Sequence, residues 1–297
     1  MNKRSKIGLI SGGVILTAAI IYFGLMPFDY KVRFKTNNTP WIIYHFIEIN
    51  HESTQFIGQK ENHLSFSSRP KDEATYHYVW HLAQDNEGKT KVEVNAVFTK
   101  NRFFEKIAML FGESVQVKAI INELNSFNLK LSETSKDYRW EQPLQATLLG
   151  QTCLCASITS RIEDKANEMN KTISFLSSYL PKGKKPPPRL YINEIDLIAQ
   201  TMRFDFCFPL EKGTLTNVDD SSLFITFKPK IFGEVTSFYG NYSQTHRGWY
   251  DYMAKYTNNL KPKLPIVEVF YDSPFGGIEQ TKWKSEIYFS INKSNKR

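Results

Sequence analysis

The last third of the chain reads twice as the same unit, and that duplication limits the fold more than any single residue does. From Cys153 to Leu210 a short apolar strand (Cys153 to Ile158) is followed by an amphipathic helix (about Glu163 to Leu180), a proline-rich break and two further apolar strands. From Glu234 to Ile291 the order recurs: the strand EVTSF, a turn at Gly240, a helix from about Gln244 to Tyr256, the break KPKLP, and the strands VEVFY and KSEIYF. The endings FDFCFPL and SEIYFSI can be laid over one another with Asp205 against Glu286. A module that cannot bury its own sheet gains a continuous core by pairing with its copy. The expectation is one pseudo-symmetric α+β domain with a groove between its halves.

The second copy carries Tyr239-Gly240-Asn241-Tyr242 before a helix bearing Trp249, then Val267-Glu268-Val269-Phe270-Tyr271-Asp272-Ser273-Pro274, then Trp283-Lys284-Ser285-Glu286-Ile287-Tyr288. In these residues the chain resembles the GyrI-like small-molecule-binding family, also found as the effector-binding half of certain transcription regulators. The resemblance covers roughly residues 147 to 292 and implies a binding domain without the regulators' DNA-binding module. The first copy departs from the pattern. It lacks the Gly-x-Tyr turn and has Asn193-Glu194 where the second has Asp272-Ser273-Pro274, so it is expected to hold the sheet rather than the ligand.

The N-terminus is different in kind. Lys3, Arg4 and Lys6 precede an uncharged stretch from Ile7 to Phe28. At about 1.5 Å of rise per residue, a helix of that length just crosses a ~30 Å hydrocarbon layer. A cleaved signal peptide would have a shorter apolar core, and Ala18-Ala19 lies inside the stretch with Ile20 to Phe23 still to come. A buried soluble helix is the other alternative. The expectation is an uncleaved anchor, with residues 1–28 as cytoplasmic tail and transmembrane helix and 7–28 in contact with the bilayer. Basic residues before the span favour a cytoplasmic N-terminus, although Lys31, Arg33 and Lys35 follow it. The soluble part is then expected outside the cytoplasmic membrane.

A chain of 297 residues with 41% hydrophobic and 14% aromatic content can bury two cores and is not a disordered protein. Its formal net charge of +8 is scattered; the densest run, Lys182 to Lys185 with Arg189, lies in the linker of the first repeat. That run suits a solvated loop or attraction to an anionic surface, and no helix-turn-helix pattern accompanies it, so nucleic acid is not an expected partner. Cys153 and Cys155 alternate on one strand and point to the same face, while Cys207 lies on another strand of that repeat. Without a metal-ligand spacing the three read as buried thiols, with one disulfide from Cys207 to either partner as the alternative in an oxidising compartment. No cofactor is called for: there is no phosphate-binding glycine loop and no nucleophile elbow.

The intervening block begins with Tyr30-Lys31-Val32-Arg33-Phe34-Lys35, which alternates as a half-exposed strand does. A helix can start at Thr39-Pro40. The strands HLSFSS, TYHYVWHLAQ and KTKVEVNAVF follow, with a turn at Asn86-Glu87-Gly88. A long amphipathic helix from about Phe104 to Leu131, interrupted only by Gly112, closes the block with Ile107, Leu110, Phe111, Val115, Ile120, Ile121, Leu124, Phe127 and Leu131 at helical spacing. This order of elements resembles the START-like (polyketide cyclase type, SRPBCC) domains, whose sheet curls around that helix and often encloses an apolar pocket. A membrane segment, a START-like block and a GyrI-like domain in this order is an arrangement of bacterial proteins, which implies the bacterial cytoplasmic membrane. His77 and His81 flank YVW on one face of their strand, and without a cysteine or acid at metal spacing they read as surface or pocket histidines.

Glu268 is the first candidate ligand residue. It sits in an apolar strand of a domain whose relatives bind hydrophobic cations, and a carboxylate among aromatic rings attracts such ligands by charge and by ring quadrupoles. Tyr239, Tyr242, Trp249, Phe270, Tyr271, Trp283 and Tyr288 supply the rings, and Glu286 is the second acid. The bland alternative for Glu268 is a strand glutamate paired with a lysine. Some members of the resembling family are hydrolases, and in that case Glu268 or Glu286 would handle the proton while Tyr242 or Tyr288 donates to the leaving atom. The expected organisation is an anchor (1–28), a START-like domain (29–140) and a GyrI-like domain (147–297) with repeats at about 150–212 and 224–292. Its expected ligand is an apolar or cationic small molecule, bound for sensing or sequestration; a tethered hydrolase and a groove for a protein partner are the alternatives.

Overall fold

The computed structural model describes residues 26–60, 62–71, 75–85, 89–112, 114–134, 136–181, 183, 185–211, 218, 220–257, 262–272 and 277–290. The chain divides into two compact units, Met1–Leu131 and Ser132–Arg297. Among the described residues no helix is long and apolar enough to cross a membrane. The span expected over 7–28 lies outside the described residues except for its last three, and so do the turn at 86–88 and part of the turn after Asp272.

In the first unit β1 (Tyr30–Thr36), α1 (Pro40–Asn50), β2 (Ser53–Lys60), β3 (His63–Arg69), β4 (Tyr76–Gln84) and β5 (Thr90–Phe98) lead to two helices, α2 (Arg102–Leu110) and α3 (Val115–Thr134). The strands form one antiparallel sheet in the order β1-β5-β4-β3-β2. Strict alternation buries Leu64, Phe66, Tyr78, Trp80, Leu82, Val92 and Val94 on a single face. Helix α1 starts at Pro40, whose missing N–H costs nothing in a first turn, and buries Trp41, Ile43, Tyr44 and Ile47. Helix α3 buries Ile120, Leu124, Phe127 and Leu131. Tyr44 meets Phe66 edge-on and Phe127 meets Trp80, so both helices cover the same face of the sheet.

The first unit differs from the sequence reading in three places. The single helix expected from Phe104 to Leu131 is two helices, because Gly112 takes φ 76°, a left-handed conformation that ends α2. Of the apolar residues placed at helical spacing, Leu110, Phe111, Val115 and Ile121 are exposed. Strand β2 was not legible as a strand, since at the sheet edge it is only half buried and its alternation is weak. The first domain was expected to run to residue 140, yet β6 (Tyr138–Trp140) pairs with a strand of the second unit.

The second unit continues with β7 (Leu144–Leu148), β8 (Gln151–Arg161), α4 (Lys165–Ser178), β9 (Arg189–Asp196), β10 (Thr201–Pro209), β11 (Leu223–Lys228), β12 (Ile231–Gly240), α5 (Thr245–Tyr252), β13 (Ile266–Phe270) and β14 (Lys284–Ser290). The sheet is antiparallel in the order β11-β8-β10-β9-β13-β14-β12-β6, with β7 also paired to β12. The two repeats are β8-α4-β9-β10 and β12-α5-β13-β14. They meet where β9 pairs with β13, placing Leu190 directly opposite Glu268.

The register sorts side chains onto two faces. Leu190, Phe206, Glu268 and Ile287 share the face that carries α4 and α5, and Tyr191, Asp205, Val267, Val269, Glu286 and Tyr288 share the other. Helix α5 approaches closely because Gly248 has no side chain: a Cβ there would sit 2.9 Å from Ile287 Cδ1. The opposite face is a second apolar core built around Cys153, Tyr191, Val267 and Tyr288. In it Cys207 lies across from Cys155 and is disulfide-bonded to it, while Cys153 is a buried free thiol.

Candidate functional site

The seam between the repeats holds a buried ion pair. Lys165 opens α4 and Thr245 opens α5, so both helix N-termini come down on the β9–β13 seam. The Lys165 ammonium donates to both oxygens of Glu268, at 2.9 and 2.7 Å, and to the Thr245 hydroxyl. The Trp249 indole N–H donates to Glu268 Oε1 at 2.8 Å, and its ring lies 4.7 Å from the ammonium. Both charged side chains are 0% exposed. Burial pulls the Lys165 ammonium below its ordinary value, and Glu268 opposes that pull. Glu268 is thus a carboxylate whose cation is already in place.

Beside this pair a groove of about 460 Å³ opens on the helix face. One wall is α4, with Met169, Ile173, Ser174 and Ser177; another is the stretch Lys185 to Pro188. Its floor is Phe206, Phe208 and Phe270, and Tyr242, Tyr271 and Asp272 close one end. The Tyr242 ring packs 4.6 Å from Phe270 and 5.1 Å from Trp283. Its hydroxyl donates to the Asp272 carbonyl at 2.7 Å and accepts from the Asp272 N–H, so it locks the chain after β13. Burial raises the pKa of this phenol and keeps it protonated.

Of the residues expected to bind ligand, Tyr242, Phe270 and Tyr271 line the groove. Trp283 supports Tyr242, whereas Trp249 and Glu268 are fully buried and do not line the groove. Glu286 and Tyr288 are on the opposite face, where Glu286 accepts from the Tyr271 and Tyr288 hydroxyls at 2.7 and 2.9 Å. Tyr239 lies elsewhere, its ring 4.3 Å from the Arg139 guanidinium. The two acids considered for proton handling are therefore separated by the sheet, because they sit on adjacent strands at positions of opposite parity. Asp205 does share a face with Glu286, as the superposed endings implied, and is neutralised there by Lys228 at 2.6 Å.

The first repeat, expected to hold the sheet, supplies most of the groove wall. Its signal in the sequence was the half-exposed apolar position Ile173 on α4 together with Pro186-Pro187-Pro188, which holds the neighbouring wall extended. Lys165 had no such signal. It stands just after Arg161, Glu163 and Asp164 and reads as one more solvated charge.

The first unit has a separate, more polar cleft of about 560 Å³ near His51, Tyr76, Glu123 and Lys130. Glu123 accepts from the Tyr76 and Tyr78 hydroxyls at 2.8 and 2.7 Å, and Ser68 holds His51 Nδ1 at 2.9 Å. His81 is likewise held by Ser65. Among the described residues no three or more His, Cys, Asp or Glu side chains are placed to hold a metal ion.

Fold and site together define a class: a duplicated α+β domain with an apolar groove of small-molecule size. No protein-family model matches the chain. No curated protein matches it either. Among solved structures it is similar to EcmrR in a cryo-EM complex with DNA, at 12% identity over 65% of this chain and 72% of that one, with a TM-score of 0.43. It is also similar to the EcmrR C-terminal domain, at 14% identity over 51% of this chain and 98% of that one, with a TM-score of 0.38. A third similar structure is SAV2435 bound to tetraphenylphosphonium, at 14% identity over 52% of this chain and 95% of that one, with a TM-score of 0.37.

Proposed function

We propose that the chain is a membrane-tethered binding protein whose C-terminal unit takes a neutral, apolar small molecule into the groove, for sensing or sequestration. The observation that carries this reading is the open, ring-lined groove beside a carboxylate that already holds Lys165. A lipophilic cation gains from a buried carboxylate only if that carboxylate is free of another cation. Here it would have to displace an ammonium bonded to three oxygens. The charges at the groove itself, Lys185 and Asp272, are opposite in sign and favour neither a cation nor an anion. The uncharged stretch 7–28 would provide the tether. The Cys155–Cys207 disulfide supports placing the binding unit in an oxidising, extracytoplasmic compartment.

Thermal unfolding of the full chain in lipid nanodiscs tests the reading. A neutral aromatic compound at 100 times its dissociation constant should stabilise the C-terminal unit by about 2.7 kcal/mol. Ile173→Glu, which places a carboxylate in the groove wall, should abolish that shift. A panel in which only cations raise the midpoint would overturn the neutral-ligand assignment, and a panel in which nothing does would overturn small-molecule binding.

A further inference from the structure

Helix α2 is amphipathic with its faces reversed. Arg102, Glu105 and Lys106 share one side, and that side faces the protein: Lys106 is 1% exposed and lies 3.0 Å from Asp29, and Glu105 accepts from Ser114 Oγ at 2.6 Å. The other side carries Phe103, Phe104, Ile107, Leu110 and Phe111, spaced i, i+1, i+4, i+7 and i+8, which is one helical face. That face points outward, with Phe104 72% and Phe111 75% exposed, and Val115 extends it past the break at Gly112. Scattered exposed apolar residues are ordinary, but a contiguous apolar helix face turned away from its own core marks an interaction surface.

The position of this face says what it meets. The Asp29 carboxylate, buried, accepts from Arg102 Nε at 2.6 Å and from the Phe98 N–H at 2.8 Å, and Arg102 also donates to the Met26 carbonyl at 2.8 Å. Residues 26–29 are thereby fastened to the first turn of α2. The uncharged stretch 7–28 ends at this point. If that stretch lies in a bilayer, α2 is held within a residue or two of the headgroup layer. Exposed lysines Lys100 and Lys118 stand before and after the apolar face, as suits an anionic lipid surface.

We propose that α2 is an interfacial helix, seating Phe103, Phe104, Leu110 and Phe111 in the outer boundary of the bilayer that the tether enters. The inference rests on the tether read from residues 7–28. Because the site is a surface of exposed side chains, cysteine substitution there should leave folding intact.

The test uses the full chain in vesicles of phosphatidylcholine with a minority of phosphatidylglycerol. An environment-sensitive nitrobenzoxadiazole label is placed at Phe104→Cys, at Phe111→Cys, or at Ile57→Cys as an exposed control on β2, with unsubstituted protein correcting for any labelling of Cys153. At positions 104 and 111 the emission should shift to the blue and rise several-fold. It should also be lost to brominated lipid and be protected from aqueous iodide, while the control does none of these. Equal iodide access at all three positions, in protein that still floats with the vesicles after carbonate washing, would remove the interfacial helix and leave the tether standing. Protection from iodide without quenching by brominated lipid would mean that protein, such as a second copy, covers the face, and would overturn the lipid assignment. Protein that does not float would overturn the tether and the helix together.

Discussion

Replacing Lys165 by methionine isolates the interaction that closes the seam of the C-terminal unit. Glu268 is 0% exposed, and the change removes the ammonium that contacts both of its oxygens, leaving only the Trp249 indole N–H as a strong donor. Stripping one partner from a buried pair costs about 3–5 kcal/mol. Glu268→Gln keeps an acceptor for Trp249 but strands the ammonium, and should cost a similar amount. Lys165→Met combined with Glu268→Gln restores neutrality, retains the indole hydrogen bond and leaves no buried charge. The double variant should therefore be at least 2 kcal/mol more stable than the sum of the two single losses, on the scale of coupling between contacting residues. Hydrogen exchange of peptides covering β13 and β14, measured by mass spectrometry, reads this unit separately from the first. A Lys165→Met loss below about 1 kcal/mol, or additive losses in the double variant, would show that the pair is solvated and available to an outside cation.

Two titrating groups should give the two units opposite responses to acid. Burial pushes Asp251 up to about 6, so its contribution is fully present below about pH 4 and is lost as pH rises through 6. Protection of β12 and α5 against exchange should rise by about 2 kcal/mol between pH 6 and 4, and Asp251→Asn should flatten that change. His51 is held down to about 4 by burial and by Lys71, so its contribution is present above pH 6.5 and lost as pH falls through 4. Exchange from β3 and β4 should accelerate over that range, and His51→Gln should remove the acceleration. The Cys155–Cys207 bond closes a loop between residues 52 apart. Its loss in Cys207→Ser should lower the urea midpoint of the C-terminal unit by the equivalent of about 2–4 kcal/mol; an unchanged midpoint would refute a stabilising role.

The duplicated order of elements was legible because each copy alternates strand and helix periodicities with proline breaks between them, and those signals are local. Of the edge strands only β1 was legible, because its apolar and charged residues alternate. β2, β6, β7 and β11 are half buried, so their alternation is weak, and their pairing depends on partners distant in sequence. The outward direction of the apolar face of α2 was not legible for a related reason: helical spacing reports that an apolar face exists and not which way it points. At about 100° per residue Phe111 stands about 180° around the helix from Ile120, so the apolar residues on the two sides of Gly112 belong to different faces. At the site, Tyr242 and Phe270 followed from the Gly240 turn and the apolar strand. Lys165 could not follow, because its burial depends on meeting Glu268 across a separation of 103 residues.

The most direct test of the groove is equilibrium binding of N-phenyl-1-naphthylamine, a neutral fluorescent aromatic, to the full chain in nanodiscs, with tetraphenylphosphonium as competitor. Nanodiscs carrying Ile173→Glu protein provide the background for dye dissolved in lipid. A groove for neutral ligands gives saturable fluorescence enhancement beyond that background, loss of the enhancement in Ile173→Glu, and little displacement by the cation. Enhancement equal in both proteins would place the dye in lipid alone. Full displacement by the cation, with weakened cation binding in Glu268→Gln, would mean that Lys165 yields its carboxylate and that the site is built for cations.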